Sequence, residues 1–192
     1  MIGSWTDWEL TEQGIEQARK IGEKLSLEIK KDEYIMYSSD LLRTKHTAEI
    51  IGECLSIKSI FTKKLREFNL GEAIGKSKDW ARKNNSCPVW ENTIDWAKNI
   101  DEKPFSGAES LRDVWDRLIE FYNEFLIKSD KNIIIVSHSG TLSVFYAIWL
   151  GLDVEMLNKC NLTSDSGGVS FLRKDTDGHR IISRLNDLSY KR

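Results

Sequence analysis

Asn132-Ile133-Ile134-Ile135-Val136-Ser137-His138-Ser139-Gly140 is the most informative run in the chain. Its apolar part is unbroken and β-branched, so it reads as a strand buried on both faces, the mark of a parallel sheet. Ser137 and His138 then stand at the strand's carboxyl end, and Gly140 opens a helix reaching about Trp149. Just upstream, Leu111, Val114, Leu118, Phe121 and Phe125 recur at helical spacing and form the clearest amphipathic helix of the chain. Tyr34-Ile35-Met36-Tyr37 reads as a second strand, followed by Ser38-Ser39-Asp40, three residues of helix-capping type. A helix with Leu41, Ala48, Ile51 and Leu55 on one face comes next. Nearer the start, Thr11 reads as the N-cap of a helix carrying Ile15, Ala18, Gly22 and Leu25. Ser59-Ile60-Phe61 is a short strand candidate. Val169–Arg173 and Arg180–Arg184 flank Asp177-Gly178, a hairpin signal.

Strands alternating with helices predict an α/β domain, a mostly parallel sheet with helices on both faces and an antiparallel strand near the end. The 192 residues suit a single domain, residues 1–192, with a cap or insertion at about 76–106 that holds Trp80, Trp90 and Trp96. Those tryptophans either line a substrate pocket or pack the insertion.

Composition narrows the function. The net charge of −2 shows no asymmetry that would suit nucleic acid or an anionic membrane. With 40% hydrophobic and 30% charged residues the chain is globular rather than disordered. Cys54, Cys87 and Cys160 are odd in number and widely spaced, which suits neither a disulfide framework nor a zinc site and fits a reducing, cytoplasmic compartment. The first residues, MIGSWTDWELTEQG, carry no apolar signal core, and no apolar run approaches the ~18 residues of a membrane span.

In open α/β sheets, ligands sit beyond the carboxyl ends of the strands. Two such ends carry unusual groups here, Ser137-His138-Ser139-Gly140 and Ser38-Ser39-Asp40-Leu41-Leu42-Arg43. A histidine at a strand tip followed by a helix N-terminus suits an anion, because free N–H groups and the helix dipole favour negative charge. Arg43 can offer a planar fork to phosphate oxygens. Glu67, in a loop, is a natural proton donor for a leaving oxygen.

Six segments, in order, resemble the phosphoglycerate mutase-like branch of the histidine phosphatase superfamily. They are Ser4–Gly14 with Gln17-Ala18, Ser38–Thr44 with Thr47-Ala48, Leu65-Arg66-Glu67 with Gly71 and Gly75, Gly107–Ser110 with Asp113 and Arg117, Val136–Gly140, and Leu185-Asn186-Asp187. The resemblance implies that Glu67 and His138 are catalytic, that Arg43, Ser139, Gly3 and Ser4 bind the substrate phosphate, and that no metal or cofactor takes part. The partner it implies is a small-molecule phosphate ester. It also implies a mechanism in which an imidazole attacks the phosphomonoester, Arg43 and His138 stabilise the transferring group, and Glu67 acts first as acid, then as base. Glu67 and His138 are 71 positions apart, which resembles compact phosphatases more than mutases. Trp5 and Trp8 are expected to border the site. Glu109 reads as a helix-start or ion-pair residue, and His46 and His179 as solvated.

One departure stands out. The family opens with a central strand ending in Arg-His-Gly, whose histidine is the nucleophile, and none of His46, His138 and His179 follows an arginine and precedes a glycine. Met1 falls in the loop after that strand, so roughly 15–20 residues, about one strand and a loop, are expected to be missing. That strand would lie beside the one ending at His138, with the last strand on its far side. The expectation is that Met1 is an internal methionine of an ordinary phosphatase; the alternatives are a non-catalytic phosphate-ester binder and an adapter without a phosphate site. Smaller departures are Ser139 where glycine is common and Ile74 where glutamate often stands.

Overall fold

A computed structural model describes residues 1–84, 100–158 and 162–192. Trp90, Trp96, Cys87 and Cys160 lie outside the described residues. The elements run α1 (Glu12–Glu28), β1 (Tyr34–Ser39), α2 (Leu42–Leu55), β2 (Ser59–Thr62), α3 (Lys78–Asn84), α4 (Leu111–Phe121), β3 (Asn132–Val136), α5 (Ser139–Leu150), β4 (Val169–Lys174) and β5 (Arg180–Asp187).

β1 is the middle of a parallel sheet ordered β2-β1-β3, with Met36 opposite both Ser59 and Ile134. Side chains alternate across this sheet as the pleat requires. Ile35, Tyr37, Ile133 and Ile135 join a core built with α4 and α5, around Val114, Leu118, Phe121 and Phe145. Met36, Ile134 and Val136 join a second core built with α1 and α2, around Ile21, Leu25, Ala48 and Ile51. Helices therefore cover both faces, as the sequence predicts. The helices α1 and α2 approach closely at Gly22, where an added Cβ would lie 2.8 Å from Cys54 Cβ.

β4 and β5 pair antiparallel, and among the described residues no ladder joins them to the parallel sheet. Yet they occupy the same layer. Leu172 and Ile182 pack on the α4–α5 core, and Val169 and Phe171 on the α1–α2 core. β3 is consequently an edge strand. Its residues Ile133 to Val136 pack on a core at each face, as their apolar run predicts, but they are half-buried because they stand at the edge of the sheet.

Local signals held at several ends. Thr11 caps α1 by accepting from Gly14 N–H. Ser110 caps α4 in a reciprocal box with Asp113, and the helix passes into a π turn over Tyr122–Leu126. The start of α2 differs from expectation. Its N-cap is Leu41, not Ser38, Ser39 or Asp40, and the side-chain acceptor comes from afar, as Asp7 Oδ1 takes the Leu42 N–H at 2.9 Å. Strand β1 extends through Ser38 and Ser39, and their hydroxyls bond the junction instead, Ser39 Oγ accepting from the Leu41 N–H at 3.3 Å and Ser38 Oγ donating to Ser39 O at 3.0 Å. In the 76–106 region, Trp80 stacks on Phe105 with centroids 6.1 Å apart, beside Ile2, Ala73 and Ala81, so this tryptophan packs the insertion.

Candidate active site

The parallel register Ser38↔Val136 sets the carboxyl ends of β1 and β3 side by side. Each strand turns at once into a helix, so α2 and α5 start at the same edge. Arg43, in the first turn of α2, and His138, the residue before α5, meet there: Arg43 Nη2 lies 3.2 Å from His138 Nδ1. Arg43 also donates to the carbonyls of Ser4 and Thr6, each at 2.8 Å. The loop before α1 thus wraps the guanidinium, helped by Ser4 in the left-handed region at φ 51°.

An arginine can only donate, so His138 Nδ1 accepts and the ring proton sits on Nε2. That proton faces Ser39 Oγ at 2.9 Å, while Thr44 Oγ1 lies 3.2 Å from Nε2. Burial pushes the His138 pKa down to about 3, with the charges of Arg43 and Arg117 adding to the shift and Asp40 opposing it. The imidazole is neutral near pH 7 as a result.

Glu67 completes the cluster from the loop after β2. Its Oε1 accepts from Thr141 N–H at 3.1 Å and Thr141 Oγ1 at 3.3 Å, and its Oε2 from Gly140 N–H at 3.3 Å. The carboxylate therefore rests on the N-terminus of α5, two residues beyond His138. Arg43 is desolvated, and burial lowers its pKa against the opposing charges of Glu67 and Asp7.

The remaining expected residues play different parts. Gly3 closes a turn by accepting from Thr6 N–H at 3.0 Å. Ser4 is buried, and its hydroxyl donates to Phe68 O at 2.5 Å while accepting from Leu70 N–H at 2.9 Å, so it ties loops together rather than facing a ligand. Ser139 is exposed in the first turn of α5. Glu109 forms a shielded ion pair with Arg117 at 2.8 Å, in line with its expected role. Trp5 does border the site: its ring carries the Arg66 guanidinium at 4.7 Å, and Nε1 donates to Glu67 O at 2.6 Å. Arg66 in turn makes a two-pronged pair with Asp40 at 2.6 and 2.7 Å. His46 is half-buried rather than solvated, and His179 is exposed in the β4–β5 turn. There Asp175, Asp177 and His179 gather, with Asp175 Oδ1 accepting from the Asp177 and His179 N–H groups.

Sequence reasoning missed Ser39, Thr44, Thr6 and Arg117 as individual site residues. All four lie within the segments that resemble the family, but nothing there assigns them a part: Ser39 reads only as a helix-capping type, and the reach of Arg117 to the Glu67 loop depends on how α4 packs.

The chain is thus a three-layer α/β protein with an imidazole and a guanidinium at two adjacent strand ends and a loop carboxylate on the adjoining helix N-terminus. The whole-family pattern for the histidine phosphatase superfamily (branch 1) matches residues 1–187, and the chain belongs to that family. It is 29% identical to a 2,3-bisphosphoglycerate-dependent phosphoglycerate mutase of Bradyrhizobium diazoefficiens, over 97% of this chain and 89% of the other. It is 30% identical to a phosphoglycerate mutase of Schizosaccharomyces pombe, over 97% and 88%. Among solved structures, the mycobacterial glucosyl-3-phosphoglycerate phosphatase complexed with inorganic phosphate superimposes with a TM-score of 0.81 at 22% identity, covering 100% of this chain and 93% of that one. Among the described residues, no helix is long and apolar enough to cross a membrane.

Proposed function

We propose that Arg43, His138 and Glu67 form the phosphate end of a site for small phosphomonoesters, of the kind that hydrolyses them through a phosphohistidine. The observation that carries this reading is the neutral His138, fixed as the Nε2–H tautomer against Arg43, with the Glu67 carboxylate on the adjoining helix N-terminus. A phosphate dianion brings its own charge. Arg43 supplies the countercharge from a desolvated position, where electrostatic stabilisation of a transferring group is strong. A neutral imidazole can take up a proton as negative charge arrives beside it. Glu67 stands where it can deliver a proton to a leaving alkoxide and later take one from water.

The attacking imidazole of the family is not among His46, His138 and His179. The 192-residue chain is therefore proposed to bind phosphate esters and to turn them over little or not at all. Hydrolysis is favoured over mutase-type phosphoryl transfer by the short separation of Glu67 and His138 in the sequence. The curated relatives named as mutases support phosphoryl transfer as a second reading. A phosphatase of this fold has been solved with inorganic phosphate and with VO3, which supports the class of ligand.

Thermal melting with orthovanadate or inorganic phosphate tests the proposal, since a ligand at about 100 times its Kd stabilises by about 2.7 kcal/mol. The melting temperature should rise, and Arg43→Ala should cancel the rise. A folded wild-type sample that ignores both anions refutes the site. Turnover of an aryl phosphate that His138→Ala abolishes refutes the inactivity. A larger shift with 2,3-bisphosphoglycerate than with a monoester favours the transfer reading.

A further inference from the structure

The loop that carries Glu67 is held in an unusual way. Six consecutive carbonyls, from Lys64 to Asn69, each accept from a donor on another part of the chain. Arg117 Nη1 takes Lys64 O at 2.7 Å, Ser137 Oγ takes Leu65 O at 2.7 Å, and Thr141 Oγ1 takes Arg66 O at 2.8 Å. Trp5 Nε1 and Arg117 Nη2 share Glu67 O at 2.6 and 3.2 Å. Ser4 Oγ takes Phe68 O at 2.5 Å, and the Glu109 N–H takes Asn69 O at 2.8 Å. Beyond the short 3₁₀ turn Lys63–Leu65, no helix or strand of its own fixes this stretch. Its shape is imposed from outside.

Of these donors, only Arg117 holds two of the carbonyls. It does so while its Nε and Nη2 grip Glu109 at 2.8 and 3.3 Å, and Glu109 Oε2 returns to the loop by accepting Asn69 N–H at 2.7 Å. Arg117 and Glu109 together thus clamp both ends of the segment, and both side chains are shielded, at 14% and 16% exposure. An arginine suits this task because its rigid, planar fork reaches several acceptors at once, which a lysine's single ammonium cannot do. Glu67 hangs from the middle of the clamped stretch. Its main-chain carbonyl points at Arg117 and Trp5, and its carboxylate points the other way, onto Gly140 and Thr141.

We infer that Arg117, with Glu109 as its counter-charge, is a positioning residue that sets Glu67 on the N-terminus of α5. Its functional meaning rests on the phosphate-site reading, but its geometry does not. Arg117 touches neither His138 nor Arg43 through a hydrogen bond among the described residues, so it acts through the loop. The consequence is specific. Loss of the fork frees the Lys64 carbonyl and leaves the Glu67 carbonyl to Trp5 alone, the loop relaxes, and the Glu67 carboxylate leaves the two amides it now occupies.

Those amides provide the readout. In ¹H–¹⁵N spectra of the full chain, Glu67→Gln defines how the Gly140 and Thr141 signals move when the carboxylate is lost. Arg117→Lys, which keeps the charge but not the fork, is expected to move the same two signals in the same direction and leave the α1–α2 signals in place. Vanadate affinity should weaken in parallel. If Arg117→Lys fails to fold, Glu109→Gln takes its place, because it breaks the charged half of the clamp and turns an amide group towards Asn69 N–H. Gly140 and Thr141 signals at wild-type positions in a folded Arg117→Lys or Glu109→Gln protein overturn the inference. Moved signals without any vanadate binding by the wild type uphold the positioning role and reject the phosphate reading.

Discussion

Lowering the pH from about 7.5 to about 5 should destabilise this protein mainly through His138. In the unfolded chain a histidine titrates near 6.5. In the native state His138 is buried beside Arg43, and burial together with the charges of Arg43 and Arg117 lowers its pKa to about 3. Between those values the unfolded state binds a proton that the native state refuses. The stabilisation is fully present above the unfolded pKa and is lost steadily as the pH falls towards the native one. At pH 5 the unfolded pKa lies about 1.5 units above the solvent pH, a loss of about 2 kcal/mol at 1.36 kcal/mol per unit. For a chain of this size that corresponds to roughly 4–8 °C in melting temperature. Asp40 and Asp113 have pKa values held below the ordinary carboxylate value, by the Arg66 hydrogen bond in the first case and against burial by the Ser110 and Lys103 bonds in the second, so they respond at lower pH. The assay is calorimetry or circular dichroism melting across this range for the wild type and His138→Gln. The variant should lose most of the slope. Equal slopes in the two proteins would falsify the account of His138 as a buried neutral base.

Other perturbations have definite signs. Phe121→Ala empties a fully buried ring site that meets Tyr37 edge-on at 5.5 Å, and urea unfolding should show a loss of about 3–5 kcal/mol. Ser110→Ala removes the α4 cap and half of its reciprocal box, costing about 1 kcal/mol in the same assay. Gly71→Ala should destabilise markedly or prevent folding, since φ is +52° and the new Cβ would lie 2.0 Å from Ser106 O; a soluble variant with an unchanged melting temperature contradicts this.

The helices were legible because their signals are local. Thr11 and the Leu111/Val114/Leu118/Phe121 stripe act within one turn or one face, whereas the Ser110–Asp113 box went unread. The strand Asn132–Val136 was equally plain, and its two packed faces follow from the unbroken apolar run, but how much of each side chain stays exposed depends on its place at the sheet edge, which an apolar run does not record. The cap of α2 escaped for a related reason. Asp7 supplies it from 35 residues away, and nothing near Leu42 announces that. At the site, His138, Arg43 and Glu67 could be singled out because each combines a reactive side chain with a strand end or a loop. The residues that hold them in place could not. Arg117, Thr44 and Ser39 act by reach across elements, and their partners follow only from the packing of α4 on the loop and of β1 beside β3.

The hairpin of β4 and β5 shares both cores with the rest of the molecule but, among the described residues, no ladder with it. Side-chain packing and a few single contacts, such as Trp149 Nε1 on Ile181 O at 3.2 Å, are what attach it. A unit joined in this way can come loose as a block while the three parallel strands stay paired. Amide hydrogens of Val169–Lys174 and Arg180–Asp187 should therefore exchange with deuterated solvent by a lower-energy opening than those of Tyr34–Ser39. Protease nicking should begin in the chain's final quarter, well before the remainder unravels.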